Sequence, residues 1–275
     1  MPVSAPRFAV IIPARYQSQR YPGKPLARLT GAGGTAKSLI QRSWEAASAV
    51  PGAAGVWIAT DDNRIADAVA AFGGRVVMTS PDCRNGTERC ADALDVLGSE
   101  LTDAAEIIVN LQGDAPLTPT FVVEGLVAAL ATDTRAIMAT PALRCSASTY
   151  AHLVKDQSEG RVGGTTVVAN RQGHALYFSK RVLPHVPDSL LAQAHEAVFL
   201  HLGVYAYRPE ALRLYAGLAP SVLEDLEGLE QLRFLETERP IRVVPFEPIG
   251  WDCIELNNPG DVRAIEAVLR QRGLD

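Results

Sequence analysis

Arg15, Arg20 and Lys24 share a ten-residue span, Arg15-Tyr-Gln-Ser-Gln-Arg20-Tyr-Pro-Gly-Lys24, that follows Phe8-Ala-Val-Ile-Ile12 and Pro13. Three cations in a short loop containing Gly and Pro suit a polyphosphate. The loop is not a Walker A sequence, which needs Gly, four residues, then Gly-Lys-Ser/Thr; here Gly23-Lys24 is followed by Pro25, and position 18 is Ser. On the loop alone, a basic surface turn stays open as the plain alternative. Asp114, in Gln112-Gly-Asp-Ala-Pro116, follows a second apolar run, Glu106-Ile-Ile-Val-Asn-Leu111. A carboxylate beside a Gly that admits close backbone approach can hold Mg²⁺ on a triphosphate; a turn or helix-capping Asp is the alternative. A third candidate is Asn85-Gly-Thr-Glu-Arg89, where the free amides of a helix start suit an anion.

These residues need a scaffold that brings loop ends together. A short run that is apolar throughout reads as a strand buried on both faces, as in a parallel sheet covered by helices. Strands are expected at 8–12, 56–60, 75–79 and 106–111. Between them, Thr35 is expected to cap a helix with Leu39, Ile40, Trp44 and Ala47 at helical spacing. Asp61 is expected to cap one with Ile65, Val69 and Phe72 that closes at Gly73-Gly74, and Thr87 one with Cys90, Leu94 and Leu97. This alternation implies parallel strands joined by right-handed crossovers. In open sheets of this kind ligands bind at the carboxyl ends of the strands, where the cationic loop and Asp114 fall.

The second half changes character. A helix over 121–131 begins near Pro119, and a strand follows at 137–140. Residues 145–162 lack periodicity and read as irregular. Residues 165–170 and 175–178 flank Arg171-Gln-Gly-His174 as a hairpin. A strand across 199–207 puts His201, Gly203, Tyr205 and Tyr207 on one face. Ser221-Val-Leu-Glu224 is a capping box opening a helix with Leu226, Leu229, Leu232 and Leu235. A strand at 241–246 precedes a last helix, with Asn258 as cap and Pro259 in its first turn. The fold class expected is α/β: a Rossmann-like, mostly parallel sheet with a smaller mixed α+β subdomain.

Composition narrows the function. The chain has 275 residues, 47% of them apolar, enough for a sizeable core. A net charge of −5 and a pI of about 5.6 argue against a general nucleic-acid or membrane-surface binder. The basic loop therefore acts locally. An N-terminal apolar run of five residues is too short for a signal peptide or membrane span. Cys83, Cys90, Cys145 and Cys253 lack metal-type spacing. A cytoplasmic protein with reduced thiols is expected.

Taken in order, the motifs resemble those of the sugar-nucleotide pyrophosphorylases and cytidylyltransferases. The version Ile12-Pro-Ala-Arg15...Arg20-Tyr-Pro-Gly-Lys24-Pro-Leu26 looks most like the CMP-Kdo synthetase (3-deoxy-manno-octulosonate cytidylyltransferase) family. The similarity runs from Ile11 to Asp261. It implies CTP, Mg²⁺ and a 3-deoxy-ulosonic acid as ligands, and CMP-sugar and pyrophosphate as products, for lipopolysaccharide or other surface glycan. By resemblance, Pro13, Ala14, Arg15, Arg20, Lys24, Asn85, Arg89 and Gln112 bind the nucleotide, Arg89 reaching the cytosine or its ribose. Arg15, Lys24 and Asp114 carry the catalysis. Lys180 in Tyr177-Phe-Ser-Lys180, His201 and Tyr205 in His201-Leu-Gly-Val-Tyr-Ala-Tyr207, and Glu230-Gln231 in Leu229-Glu-Gln-Leu-Arg233 bind the sugar. The metal ligands are Asp114 and, aligning Pro259, Asn257, with Glu255, two residues earlier on the same face of an expected strand, as the available carboxylate. The family usually has Glu at 115, Arg at 180 and Asp at 257; this chain has Ala, Lys and Asn.

The resemblance also implies a single domain, 1–275. Residues 1–135 form mainly its nucleotide-binding part, 136–250 mainly its sugar-binding and dimerisation part, and 251–275 return to the core; a homodimer is expected. The departures keep open another ulosonic acid (8-amino-Kdo or a nonulosonate) and a non-catalytic nucleotide-binding relative. A metal-dependent glycosyltransferase would need a DxD site, absent after the fourth strand.

Overall fold

The computed structural model describes residues 6–18, 20–251 and 253–275. Strand β1 (Phe8–Pro13) is buried at every position because it lies between two parallel neighbours, β4 (Ala53–Thr60) and β6 (Ile107–Leu111). Between β1 and β4 come a short hairpin, β2 (Arg28–Thr30) with β3 (Ala36–Ser38), and helix α1 (Leu39–Ser48). Helix α2 (Asn63–Ala71), strand β5 (Arg75–Met78) parallel to β4, helix α3 (Gly86–Leu97) and the single turn α4 (Ser99–Thr102) complete the path to β6.

After β6 run α5 (Thr120–Thr132), β7 (Met138–Arg144), α6 (Ala147–Ser158), the hairpin β8 (Thr165–Ala169) and β9 (Ala175–Ser179), and α7 (Ala194–Ala197). The strands β10 (Phe199–His201) and β11 (Val204–Tyr207), then α8 (Pro209–Gly217), α9 (Val222–Glu227), α10 (Leu232–Glu236), β12 (Ile241–Phe246) and α11 (Asp261–Gln271) close the chain. The sheet order is β5-β4-β1-β6-β11-β7-β10-β8-β9, with β12 parallel to β7. Its N-terminal part is parallel; β11 and β10 insert antiparallel. The mixed α+β part expected from the sequence is present, and its strands continue the same sheet.

Helices cover both faces. Ile40, Ile65, Val69, Val123 and Leu126 pack with Val10, Ile12 and Val109 on one side. Cys90, Leu94, Leu212, Tyr215 and Phe234 pack with Ile11, Ile108 and Tyr207 on the other. Alternate residues of β1 and β6 thus serve opposite cores, which is why those strands read as unbroken apolar runs.

Several local expectations are corrected. Ser38, not Thr35, caps α1, its side chain accepting from Gln41 N; Thr35 instead closes the hairpin and binds Asp275. Asp62, not Asp61, caps α2, and Asn85, not Thr87, caps α3. Residues 147–158 are helical, capped by Ser146; the sparse apolar face, Leu153 alone among its hydrophobic side chains being buried, hid the period. The strand over 199–207 is broken at Leu202-Gly203, and the helix after Ser221 ends at Gly228, φ 60. Residues 253–257 do not form a strand. Asn258 does not cap the last helix: Gly260 stands at its N-cap with no side-chain cap, and the carboxylate of Asp261, its first residue, accepts from the backbone N–H groups of Asn257 and Asn258.

Candidate active site

A cleft of about 1300 Å³ opens at the carboxyl ends of β1, β4 and β6. Single-ligand pockets run roughly 300–1,000 Å³, so there is room for two substrates. One end is lined by Pro13, Ala14, Arg15, Arg20 and Lys24, the other by Tyr205, Glu224, Asp225, Glu230 and Gln231, with Asn85, Arg89, Gln112 and Asp114 between them. Thirteen of the residues singled out by sequence, Asn257 included, therefore line this cavity, and Glu255 touches it through Asn257.

The loop after β1 is fixed by its own chemistry. Gly23 (φ 71) donates its N–H to Tyr16 O, 2.9 Å, and a β-carbon there would press on the Tyr16 ring at 3.1 Å. The Arg64 guanidinium lies over that ring, 3.3 Å from its centroid, and is gripped by Asp62 through Nε and Nη2. At the end of β6, Gly113 passes so close to Pro13 that a β-carbon would stand 2.8 Å from the Pro13 carbonyl oxygen. This contact brings Asp114 beside the cationic loop: Lys24 Nζ donates to Asp114 Oδ2 at 2.5 Å, and the two side chains are only 17% and 22% exposed.

The C-terminal segment reaches the same point. Leu256 N–H donates to Asp114 O, 2.9 Å. Asn257 bridges two charges, its Oδ1 accepting from Arg20 Nη2 at 3.0 Å and its Nδ2 donating to Glu255 Oε2 at 3.4 Å. Glu255 Oε1 fits against Gly203, 3.1 Å from where a β-carbon would stand. Burial, and then the negative charge of Asp114, push the Glu255 carboxyl up to about 7. Asp114 and Glu255 are thus two carboxylates sharing one small region, with Lys24 as the nearest compensating charge. Among the described residues no three His, Cys, Asp or Glu side chains cluster as a metal cage. Two carboxylates and an amide oxygen nonetheless match what Mg²⁺ takes from a protein when substrate phosphates supply the rest, so the donor set fits the ion.

At the opposite end, Glu230 accepts from Thr87 N–H at the start of α3, 3.1 Å, and from Gln112 Nε2 at 3.5 Å; burial pushes its carboxyl upward. Gly86 leaves room for Gln112, whose Nε2 would be 2.9 Å from a β-carbon there. Tyr205 OH donates to Gln231 Oε1 at 3.4 Å, and Gln231 Nε2 is buried without a partner. The segment is locked to α3 by Arg233, 2% exposed, which holds Glu224 through Nε and Nη2 (2.6 and 2.7 Å) and reaches Glu88. Glu230 itself lies in the turn between α9 and α10.

Two sugar-site expectations lie off the cavity wall. His201 is buried in the sheet: its Nε2 is 2.9 Å from Thr140 Oγ1, its ring packs edge-on against Phe178 and tilts over Tyr205, and burial lowers its pKa to about 3. Lys180 stands behind Gly228, which does line the cavity; its N–H donates to Glu227 Oε2 at 2.9 Å. Arg89, 3% exposed, faces the cavity while its Nη1 binds Thr79 Oγ1, 2.6 Å. Tyr16, Arg64, Arg84 and Asp225 line the cleft and were not singled out from sequence. Arg64 was within reach of such reasoning, because it follows β4 at the same ligand-binding edge as the cationic loop.

A model of the cytidylyltransferase family matches residues 9–241. A 3-deoxy-manno-octulosonate cytidylyltransferase of Maricaulis maris is 44% identical over 265 residues, which cover 96% of this chain and 97% of that protein. An 8-amino-3,8-dideoxy-manno-octulosonate cytidylyltransferase of Shewanella baltica is 37% identical, covering 94% and 96%. A solved CMP:2-keto-3-deoxy-manno-octonic acid synthetase complexed with CTP has a TM-score of 0.81 and 34% identity, covering 97% of this chain and 99% of its own. A family model over most of the chain, and similarity along nearly its full length in sequence and in structure, agree: the chain belongs to the cytidylyltransferase family, among the 3-deoxy-manno-octulosonate cytidylyltransferases.

Proposed function

We propose that this protein transfers CMP from CTP to the anomeric hydroxyl of a 3-deoxy-ulosonic acid, Kdo or a close analogue, and releases pyrophosphate. The observation that carries the reading is the convergence of five sequence-separated motifs on one cleft, cationic at one end and rich in hydrogen-bonding side chains at the other. Arg15, Arg20 and Lys24 bind the triphosphate. Lys24, held by Asp114 in the free protein, turns to the phosphates and offsets the charge that develops as the bond from the α-phosphorus to the bridging oxygen breaks. Asp114, with Glu255 and the Asn257 amide beside it, would hold Mg²⁺, which supplies charge neutralisation on the triphosphate and on the departing pyrophosphate. Tyr205, Glu230 and Gln231 orient the sugar so that its hydroxyl oxygen approaches in line with the leaving group.

A second substrate, an 8-amino ulosonic acid, is favoured by the acidic lining of the sugar end, where Asp225 is exposed beside Glu224 and Glu230. The products would serve surface glycans such as lipopolysaccharide, in the cytoplasm; among the described residues no helix is long and apolar enough to cross a membrane. A homodimer through the 136–250 part is supported by the free edge of β9, with Leu176 61% exposed. Helix α9, tied to that edge by Glu227, exposes Val222 and Leu226 on one face. The test is incubation with CTP, Mg²⁺ and a panel of ulosonic acids, with CMP-sugar identified by mass and pyrophosphate release followed. No pyrophosphate from any acid overturns the reading in favour of a non-catalytic relative; release only with the amino sugar selects the second substrate.

A further inference from the structure

Asp61 has no assigned role in the cap it was expected to make. It follows β4 at the strand's carboxyl end, yet Asp62 caps α2. Its Oδ1 is closed to solvent and has no hydrogen-bond donor; its one ion-pair partner is Arg89 Nη1, 3.4 Å away. A buried carboxylate oxygen without a donor is costly unless an opposite charge offsets it. Thr79, which follows the adjacent parallel strand β5, accepts from the same Nη1 at 2.6 Å. Asp61 and Thr79 thus hold one corner of the guanidinium, since both contacts fall on Nη1. The Arg89 side chain is otherwise buried and borders the cleft, whose lining also includes Pro13, Ala14 and Cys83.

We propose that Asp61, with Thr79, is the positioning residue that aims Arg89 at the base of the nucleotide and thereby sets the preference for CTP over UTP. Arginine presents only donors, in a rigid fork. Cytosine offers two adjacent acceptors, N3 and O2, whereas uracil carries a hydrogen on N3 and would oppose the fork. Discrimination depends on the fork's edge facing the base, and an arginine free to rotate would bind either pyrimidine through O2 alone. Asp61 does not line the cleft, so it acts through Arg89 and not by touching the nucleotide. The inference rests on the reading that Arg89 faces cytosine.

The experiment measures kcat and KM with CTP and with UTP for Asp61→Asn, Thr79→Val and Arg89→Lys, with melting temperatures alongside. Asp61→Asn is expected to raise the KM for CTP and to cut the CTP-over-UTP ratio of kcat/KM by on the order of tenfold, about what one bidentate base contact contributes. The KM for the ulosonic acid and kcat at saturating CTP stay within about twofold. Thr79→Val shifts the same ratio in the same direction, and it serves as the test should Asp61→Asn fail to fold. A defect of folding alone would lower turnover with both nucleotides equally, which overturns the inference. An unchanged ratio in Asp61→Asn or Thr79→Val while Arg89→Lys loses it overturns the role of Asp61 and leaves that of Arg89. An unchanged ratio in all three overturns both.

Discussion

Replacing Lys24 by Met removes the one ammonium that faces Asp114. The pair is 2.5 Å apart with both side chains less than a quarter exposed, so solvent screens it only in part. A charge-assisted hydrogen bond of this kind contributes about 1.5–3 kcal/mol, and the stranded carboxylate also meets the negative charge of Glu255. At roughly 2–4 °C per kcal/mol for a chain near this length, the metal-free variant should melt ~3–12 °C below the parent. Adding Mg²⁺ should raise the variant's melting temperature more than the parent's, because the ion restores positive charge beside Asp114. Turnover should fall ~10²–10³-fold even with Mg²⁺ saturating, since a single electrostatic group acting on developing charge is worth about that much. Calorimetry with and without Mg²⁺, and pyrophosphate release at saturating substrates, give the two readings. Equal melting temperatures would refute the pair as a stabilising contact, and near-parental turnover in a folded variant would refute the catalytic role.

Three further outcomes are expected. Glu255→Gln should stabilise the metal-free protein at pH 8, since the carboxyl's raised pKa means folding favours its neutral form and stability falls as pH climbs from 4.5 to about 7; the same variant should need more Mg²⁺ for activity, whereas Asp114→Asn should abolish it, as Mg²⁺ titrations of both will show. Gly203→Ala places a methyl 3.1 Å from Glu255 Oε1, displaces that carboxylate by a few tenths of an ångström, and should raise the Mg²⁺ requirement several-fold with the melting temperature nearly kept; an unaltered Mg²⁺ curve removes Glu255 from the site. His201 has its folded pKa depressed to about 3 from 6.5, so its contribution is present above pH 6.5 and is lost as pH falls; between pH 7 and 5 this costs about 2 kcal/mol, a share that denaturant titrations of His201→Gln should no longer show.

The strands of the first half were legible because apolar runs flanked by Gly, Pro and Asp leave few alternatives, and Phe8–Pro13 and Ile241–Phe246 came out almost residue for residue. Caps were less legible. Asp61-Asp62 and Asn85-Gly-Thr87 each offer neighbouring residues able to cap, and only the geometry of the incoming strand selects one. The break at Leu202-Gly203 was invisible to period two, because His201 and Tyr205 still stack across it. Likewise Leu226, Leu229, Leu232 and Leu235 keep a helical spacing although Gly228 stops the helix between them. For the candidate site, the meeting of the cations and Asp114 in one cleft was readable from residue type and position at strand ends. The placement of Glu230 on the start of α3, and the division of Asn257 between Arg20 and Glu255, depend on chain segments more than a hundred residues apart, which no local pattern encodes.

Strand β6 bears the parallel β1 on one side and the antiparallel β11 on the other. Asp114 follows it directly, and Tyr205 is paired across from its Asn110. The cationic end of the cleft and the Tyr205 end are therefore mounted on one ruler, set by backbone hydrogen bonds. On the proposed function, the ruler can stay fixed while the stretch around α9 and α10 is rewritten, so that one sugar could be exchanged for another without moving Asp114 from the cationic loop.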